Sequence, residues 1–116
     1  MNIRAEKLIE SYLPMSEQSF LLLLCLTKPR HGYGIMQFIS SQTEGRVALG
    51  ASTVYTLLYK MEQDGLVEVV SEVERRKVYS ITDDGMTVLR AEAERLRSLA
   101  RHAFSVLDGE PEPQTT

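Results

Sequence analysis

The sequence predicts a mainly α fold with one small β-hairpin: a winged helix-turn-helix followed by a long C-terminal dimerisation helix. Three observations predict it. Gly50–Gly65, GASTVYTLLYKMEQDG, reads as a helix with one apolar and one hydrogen-bonding face. Two short β-branched runs follow it, separated by the charged tip Glu74-Arg75-Arg76. Beyond them apolar residues recur at alternating steps of three and four from Met86 to Leu107, which is the seam of a coiled coil.

The elements follow in chain order. Ile3, Leu8, Ile9 and Tyr12 sit at helical spacing and predict a short amphipathic helix over 3–13, ended by Pro14 because its ring disfavours helix in the preceding residue. Ser16 offers an N-cap, with Glu17 in the first turn. The helix predicted over Glu17–Thr27 is apolar on most faces, so it belongs at the centre of the domain or between subunits. Lys28–Gly32 reads as a break. Tyr33–Gln42 resumes helical period with Ile35, Met36 and Ile39 inward, and a turn cluster at Thr43–Arg46 leads to Gly50.

The helix after Gly50 buries Val54, Leu57, Leu58 and Met61 on one face. Its opposite face carries Ser52, Thr56, Tyr59, Lys60 and Gln63 and no carboxylate. Gly65 closes it at the C′ position. Leu66–Val73 and Lys77–Ile81 then predict the two strands of a wing. Its tip lacks the Asn-Gly or Asp-Gly of a tight hairpin, so the register stays open. Thr82 caps the last helix, and Asp83 and Asp84 complement its dipole. That helix runs from about Gly85 to Leu107, about 35 Å at 1.5 Å per residue. Its seam is Met86, Leu89, Ala93, Leu96, Ala100, Ala103 and Leu107. A second copy could cover the seam, or the helix could fold back on its own domain. The expected organisation is a reading domain over 1–83, a dimerisation helix over 84–107 and a disordered acidic tail over 108–116.

Bulk properties narrow the class. The chain has 116 residues, 43% of them hydrophobic, and one cysteine. That suits one small domain with no internal disulfide, and a domain this small gains from oligomerisation. Cys25 lies within FLLLLCL and reads as a buried thiol of a reducing compartment. The longest apolar run, Phe20–Leu26, is too short to span a membrane, and the N-terminus has no secretory pattern, so a cytoplasmic protein is expected. The net charge of −3 runs against nucleic-acid binding, but it is unevenly spread. Residues 1–60 hold six Lys/Arg against four Asp/Glu, and residues 61–116 hold seven against twelve.

In this order the segments resemble a known family. His31-Gly32-Tyr33-Gly34-Ile35, Ser52-Thr53-Val54-Tyr55, Leu58, Met61-Glu62, Asp64-Gly65-Leu66-Val67, Arg76-Lys77-Val78-Tyr79 and Thr82-Asp83-Asp84-Gly85 are similar to the motifs of the PadR-like transcriptional regulators. The resemblance covers about 14–104, and the length and single C-terminal helix resemble the short subfamily. It implies a winged helix-turn-helix homodimer that binds a palindromic DNA operator and usually represses. It also implies that the N-terminal and C-terminal helices form the dimer interface, near which some relatives bind small-molecule effectors. Ser52 stands where the family prefers glycine, Val54 where it prefers leucine, and Val78 replaces the first of two tyrosines. The chain has no tryptophan, so no indole sandwich is available for an aromatic ligand.

Site residues follow from geometry and resemblance together. The N-terminal part of the second helix of a helix-turn-helix meets base edges, which selects Ser52, Thr53 and Thr56. Tyr55 matches the family's motif tyrosine, and the resemblance implies a phosphate contact for it. Tyr59 and Lys60 lie a turn later and reach toward the flanking backbone. Arg75, Arg76 and Lys77 on the wing suit phosphates or the minor groove; alternatively they form a solvated turn. Leu8 and Tyr12 join the C-terminal seam at the dimer interface.

No cofactor or metal is expected, since His31, His102 and Cys25 have no ligand spacing. Gly32 and Gly34 make no phosphate loop; Gly32 reads as a turn residue and Tyr33 as packing at the helix start. No catalytic constellation is visible, so an enzyme is not expected. The alternative to a DNA-binding regulator is a winged-helix protein–protein interaction module without DNA binding, which the net acidity motivates.

Overall fold

A computed structural model describes residues 2–109. Helix α1 (Ile3–Tyr12) starts where the Asn2 side chain accepts the Ala5 N–H at 2.7 Å. Helix α2 (Glu17–Cys25) starts at Ser16, whose hydroxyl accepts the Ser19 N–H. Strand β1 (Arg30–His31), helix α3 (Gly32–Gln42), helix α4 (Ala51–Gln63), strands β2 (Val67–Val73) and β3 (Arg76–Ile81) and helix α5 (Asp83–Leu107) follow. The fold is mainly helical with a small antiparallel sheet, as expected.

The sheet has three strands in the order β1-β3-β2, where a two-stranded hairpin was expected. The segment read as a break supplies the third strand, pairing Arg30 with Tyr79 and His31 with Val78. Two residues are too few to show alternation in a sequence. Their anchorage is tertiary: the Arg30 guanidinium lies 4.3 Å from the Phe38 ring centroid and donates to the Cys25 carbonyl at 3.0 Å.

The wing register is now defined. Val73 pairs with Arg76, leaving Glu74 and Arg75 as a two-residue loop with φ of 51° and 66°. Both residues occupy the left-handed region that a type I′ hairpin turn demands, without the usual Asn or Gly. A bulge between Val69 and Ser71 shifts the rest of the ladder by one residue.

The core gathers Leu22, Leu23 and Leu26 beside α2's end, Ile35 and Ile39 of α3, and Val54, Leu58 and Met61 of α4. Leu66, Val67, Val88 and Leu89 close it from the C-terminal side. The connection between α3 and α4 is organised by Thr43, whose hydroxyl donates to the Ile39 carbonyl at 2.8 Å and accepts the Val47 N–H at 3.0 Å.

Helix α5 joins the core through a close approach. Thr82 Oγ1 accepts the Gly85 N–H and donates to the Gly65 carbonyl at 2.6 Å. Gly85 then passes so near Leu66 that a Cβ there would lie 2.1 Å from the Leu66 carbonyl oxygen. Buried positions on α5 are confined to Gly85, Val88, Leu89 and Glu92. From Ala93 onward every described residue except Arg95 and Ser105 is exposed.

The seam therefore divides. Leu89 is only 4% exposed and belongs to its own chain's core, with Met86 packed beside it, so these two are corrected from a free outer seam to intramolecular packing. The cause is the Gly85–Leu66 approach, which presses the first two turns onto the domain. Ala93, Leu96, Ala100, Ala103 and Leu107 remain open. The radius of gyration, 16.8 Å, exceeds the roughly 13 Å of a compact chain of this size because the second half of α5 projects. Helix α1 lies along α5, and Leu8 and Tyr12 are half-buried against the chain's own core. Of the tail expected over 108–116, residues 110–116 lie outside the described residues.

Gly85→Ala tests the approach of α5. The obstructing atom is backbone, so the helix itself must move. Destabilisation of about 2 kcal/mol is expected for such overpacking, lowering Tm by roughly 10 °C in thermal unfolding followed by circular dichroism. An unchanged Tm contradicts the contact.

Candidate nucleic-acid interface

The apolar stripe of α4 determines what its other face presents. Val54, Leu58 and Met61 are buried, so at 100° per residue Ser52, Thr56, Tyr59 and Gln63 project outward, and all are exposed. Thr53 is exposed on one flank and Tyr55, half exposed, on the other. Gly50 caps the helix without a side-chain hydrogen bond, which leaves the first-turn N–H groups for an external acceptor.

Tyr55 points toward the wing. Its hydroxyl rests against Gly32 at the start of α3, where an added Cβ would lie 2.4 Å from the phenolic oxygen. Gly32 thus serves a close approach, whereas it was expected only to permit a turn. His31 caps α3, its Nδ1 accepting the Gly34 N–H at 3.3 Å. This requires the ring proton on Nε2. Tyr33 was expected to pack at the helix start, but it is 56% exposed.

These groups meet at a cleft of about 520 Å³ lined by His31, Gly32, Tyr33, Tyr55, Arg75, Arg76, Lys77 and Tyr79. Three cations, three phenols and an imidazole line it, and no carboxylate does. Burial, and then the charge of Glu62, push the Tyr79 hydroxyl above its ordinary value, so it stays a neutral donor. Among the described residues the five ion pairs are Arg4–Asp84, Arg46–Glu17, Lys60–Asp64, Arg95–Glu92 and Arg97–Glu94. None involves Arg75, Arg76 or Lys77. Glu72 faces Lys77 across the hairpin without closing to an ion pair.

The structure thus gathers Tyr55 with the three wing cations and sets Ser52, Thr53, Thr56 and Tyr59 on the adjoining open face. It separates Lys60 from them. The Lys60 ammonium binds Asp64 at 3.1 Å and lies 5.4 Å from the Tyr12 ring centroid. The Tyr12 hydroxyl donates to the same Asp64 carboxylate at 2.5 Å. That hydrogen bond, with help from Lys60, holds the Asp64 carboxyl below its usual range. Lys60 is therefore turned toward α1. His31, Tyr33 and Tyr79 are cleft residues that sequence reasoning passed over. The paired Arg30-His31/Val78-Tyr79 segments were the missing signal, visible only once β1 exists.

The sequence model of the transcriptional regulator PadR-like family matches residues 21–91. The chain belongs to the PadR-like family. An uncharacterized protein of Lysinibacillus sphaericus is 35% identical over 75 residues, covering 61% of this chain and 69% of that one. A PadR family transcriptional regulator from Eggerthella lenta superposes with a TM-score of 0.62 at 26% identity, over 90% of this chain and 89% of its own. A PadR-like transcriptional regulator from Bacillus cereus shares the fold, with a TM-score of 0.64 at 20% identity over 90% and 99% of the two chains. As a PadR-like protein the chain is a transcriptional regulator, not an enzyme. No described helix is long and apolar enough to cross a membrane.

Gly32→Ala separates the cleft from the fold in this PadR-like chain. The obstructing atoms are the far end of a movable side chain, so Tyr55 swings away at little cost in stability. Tm is expected to hold within about 2 °C, since loss of a surface contact is worth about 0.5 kcal/mol or less. Affinity for the chain's DNA site should fall several-fold in a gel-shift titration. A large Tm loss, or full affinity, would show that the Tyr55–Gly32 contact has another role.

Proposed function

We propose that this chain is a homodimeric repressor that binds a palindromic DNA operator and acts in the cytoplasm. The observation that carries the proposal is the acid-free cleft, with its three unpaired cations beside the hydroxyl face of α4. On this reading Ser52, Thr53 and Thr56 contact base edges or nearby phosphates in the major groove. Tyr55, Tyr33, Arg75, Arg76 and Lys77 hold the backbone on the wing side. Tyr59 reaches the far phosphates, and Lys60 does so only by leaving Asp64. The net negative charge is no obstacle, because the acid lies mostly outside this surface and the field that matters is local.

Dimerisation is supported by the projecting half of α5. Leu96, Leu99, Phe104, Val106 and Leu107 are all exposed large apolar side chains. With Ala93, Ala100 and Ala103 they form a stripe about 160° wide, wider than a solvated helix carries. On this reading residues 1–83 read DNA and, within 84–107, the projecting part from Ala93 joins the two copies. Leu8 and Tyr12 flank the joint through α1. An effector that releases the repressor, of unidentified chemistry, would bind between the copies near that joint.

Two measurements test the reading. In gel-shift titrations across salt concentrations, Arg76→Ala should weaken all sites alike and reduce the salt slope by about one. Thr56→Ala should change the ranking of base substitutions by about 1–3 kcal/mol at one position. Equal effects of both on every sequence would sink the division of labour. A wild-type chain that binds no DNA at low salt but retains a stoichiometric protein partner would favour a winged-helix interaction module.

Separately, Leu99→Glu with Phe104→Glu should yield a monomer in analytical ultracentrifugation with Tm changed by less than a few degrees, since neither side chain packs in its own domain. Persistence of the dimer would remove α5 as the joint.

A further inference from the structure

We propose that Glu92 is the fulcrum of α5: a positioning residue that determines the angle at which the helix leaves its domain, and thereby the half-site spacing the dimer accepts. This rests on the operator-binding reading above.

Glu92 is 1% exposed, the one charged residue in the core among the described residues. Its Oε2 accepts the Met15 N–H at 2.7 Å and an N–H of Arg95 at 3.1 Å, and its Oε1 accepts the Arg95 Nε–H. Met15 lies in the elbow between α1 and α2, far off in sequence, while Arg95 is one turn further along α5. The carboxylate therefore ties the departing helix to the elbow. Arg95, two-thirds buried on its side chain, braces it from the outer side.

Position gives this tie its leverage. Glu92 is the last buried residue of α5, and the exposed apolar stripe begins at the next residue, Ala93. From Glu92 to Leu107 the helix runs about 22 Å at 1.5 Å per residue. A change of about 10° in its exit angle moves the far end by roughly 4 Å. That matches about one base-pair step of B-DNA, 3.4 Å. An apolar side chain at position 92 would pack equally well over a range of angles. A carboxylate held by Arg95 of its own helix and bonded across to the Met15 N–H does not, because that cross-element bond weakens steeply with distance and angle.

The test compares the full-length chain with Glu92→Ala and Glu92→Gln on operators whose half-sites are one base pair closer, native and one base pair further apart. Gln retains an acceptor for the Met15 N–H, so it should keep the native preference within twofold. Ala should cut that preference at least threefold. General destabilisation would weaken all three operators alike, and that result overturns the proposal. A second readout needs no DNA. A nitroxide on Gln63→Cys is selective, because Cys25 is buried with its thiol pushed up to about 11. Electron–electron resonance between the two copies should give a distance distribution at least half again as wide in Glu92→Ala as in wild type, with Glu92→Gln close to wild type. An unchanged width, or a monomeric wild-type chain, overturns the proposal. A wild-type dimer that ignores DNA yet shows the widening sinks the operator reading and upholds the fulcrum.

Discussion

Burial of the Val54-Leu58-Met61 stripe of α4 is the constraint from which its open hydroxyl-bearing face follows. Each of these side chains is worth about 1.5–3 kcal/mol when fully removed from water, and together they fix the rotation of α4 about its axis. The outer face then has no packing duty. Its Ser52, Thr56 and Tyr59 can be chosen for hydrogen bonding alone, because a change among them costs the fold little. The same rotation places Tyr55 toward the wing and Lys60 toward α1. One flank of the helix thus joins a cationic cleft, and the other is occupied by internal bonds to Asp64 and Tyr12.

Charge is distributed by the same logic. Of the ten cations outside the wing, five have carboxylate partners: Arg4, Arg46, Lys60, Arg95 and Arg97. The wing cations do not. Surface pairs of this kind contribute little to stability, so the contrast is better understood as local field. Pairing cancels charge at five sites away from the cleft, and the unpaired trio leaves a positive edge beside the carboxylate-free outer face of α4. The left-handed backbone at Glu74 and Arg75 costs of order 1–3 kcal/mol per residue. It turns the chain within two residues and so keeps Arg75, Arg76 and Lys77 at the rim of the cleft.

Most of the fold was legible because its signals are local. Ser16 and Thr82 announced helix starts through capping, Gly65 announced a stop, and the stripes of α3 and α4 had helical period. Three features were not legible, for one shared reason. Strand β1 is two residues held by a partner nearly fifty positions away. The Tyr55–Gly32 contact needs α3 and α4 to be docked first. The burial of Glu92 opposes the usual rule that a lone glutamate on a helix is solvated. Each depends on what the folded chain brings near, which periodicity does not encode. The candidate site was accordingly half legible: the hydroxyl face and the basic tip could be read, but their junction through His31, Tyr33 and Tyr79 could not. The engagement of Lys60 was not legible either, because a cation on a polar face looks free until the fold places Tyr12 and Asp64 beside it.

The two sequence readings of the last helix, folded back or shared with a second copy, were posed as alternatives, yet α5 divides between domain packing and projection. Its first ten residues complete the domain through Gly85, Val88, Leu89 and Glu92, and the rest projects. A helix with both duties needs a sharp boundary between them, since any slack there is multiplied along the lever. An apolar boundary would be stronger in simple transfer terms, because burying an ion pair costs several kcal/mol in desolvation that its attraction only partly returns. What the carboxylate supplies instead is direction. The hydrogen bond to Met15 is satisfied at one helix orientation and broken at its neighbours, with Arg95 of the same helix holding the carboxylate in place for it, whereas dispersion contacts decline gradually. The placement of a charged residue at the last buried turn, and not deeper or further out, is where direction matters most and where its desolvation cost is least.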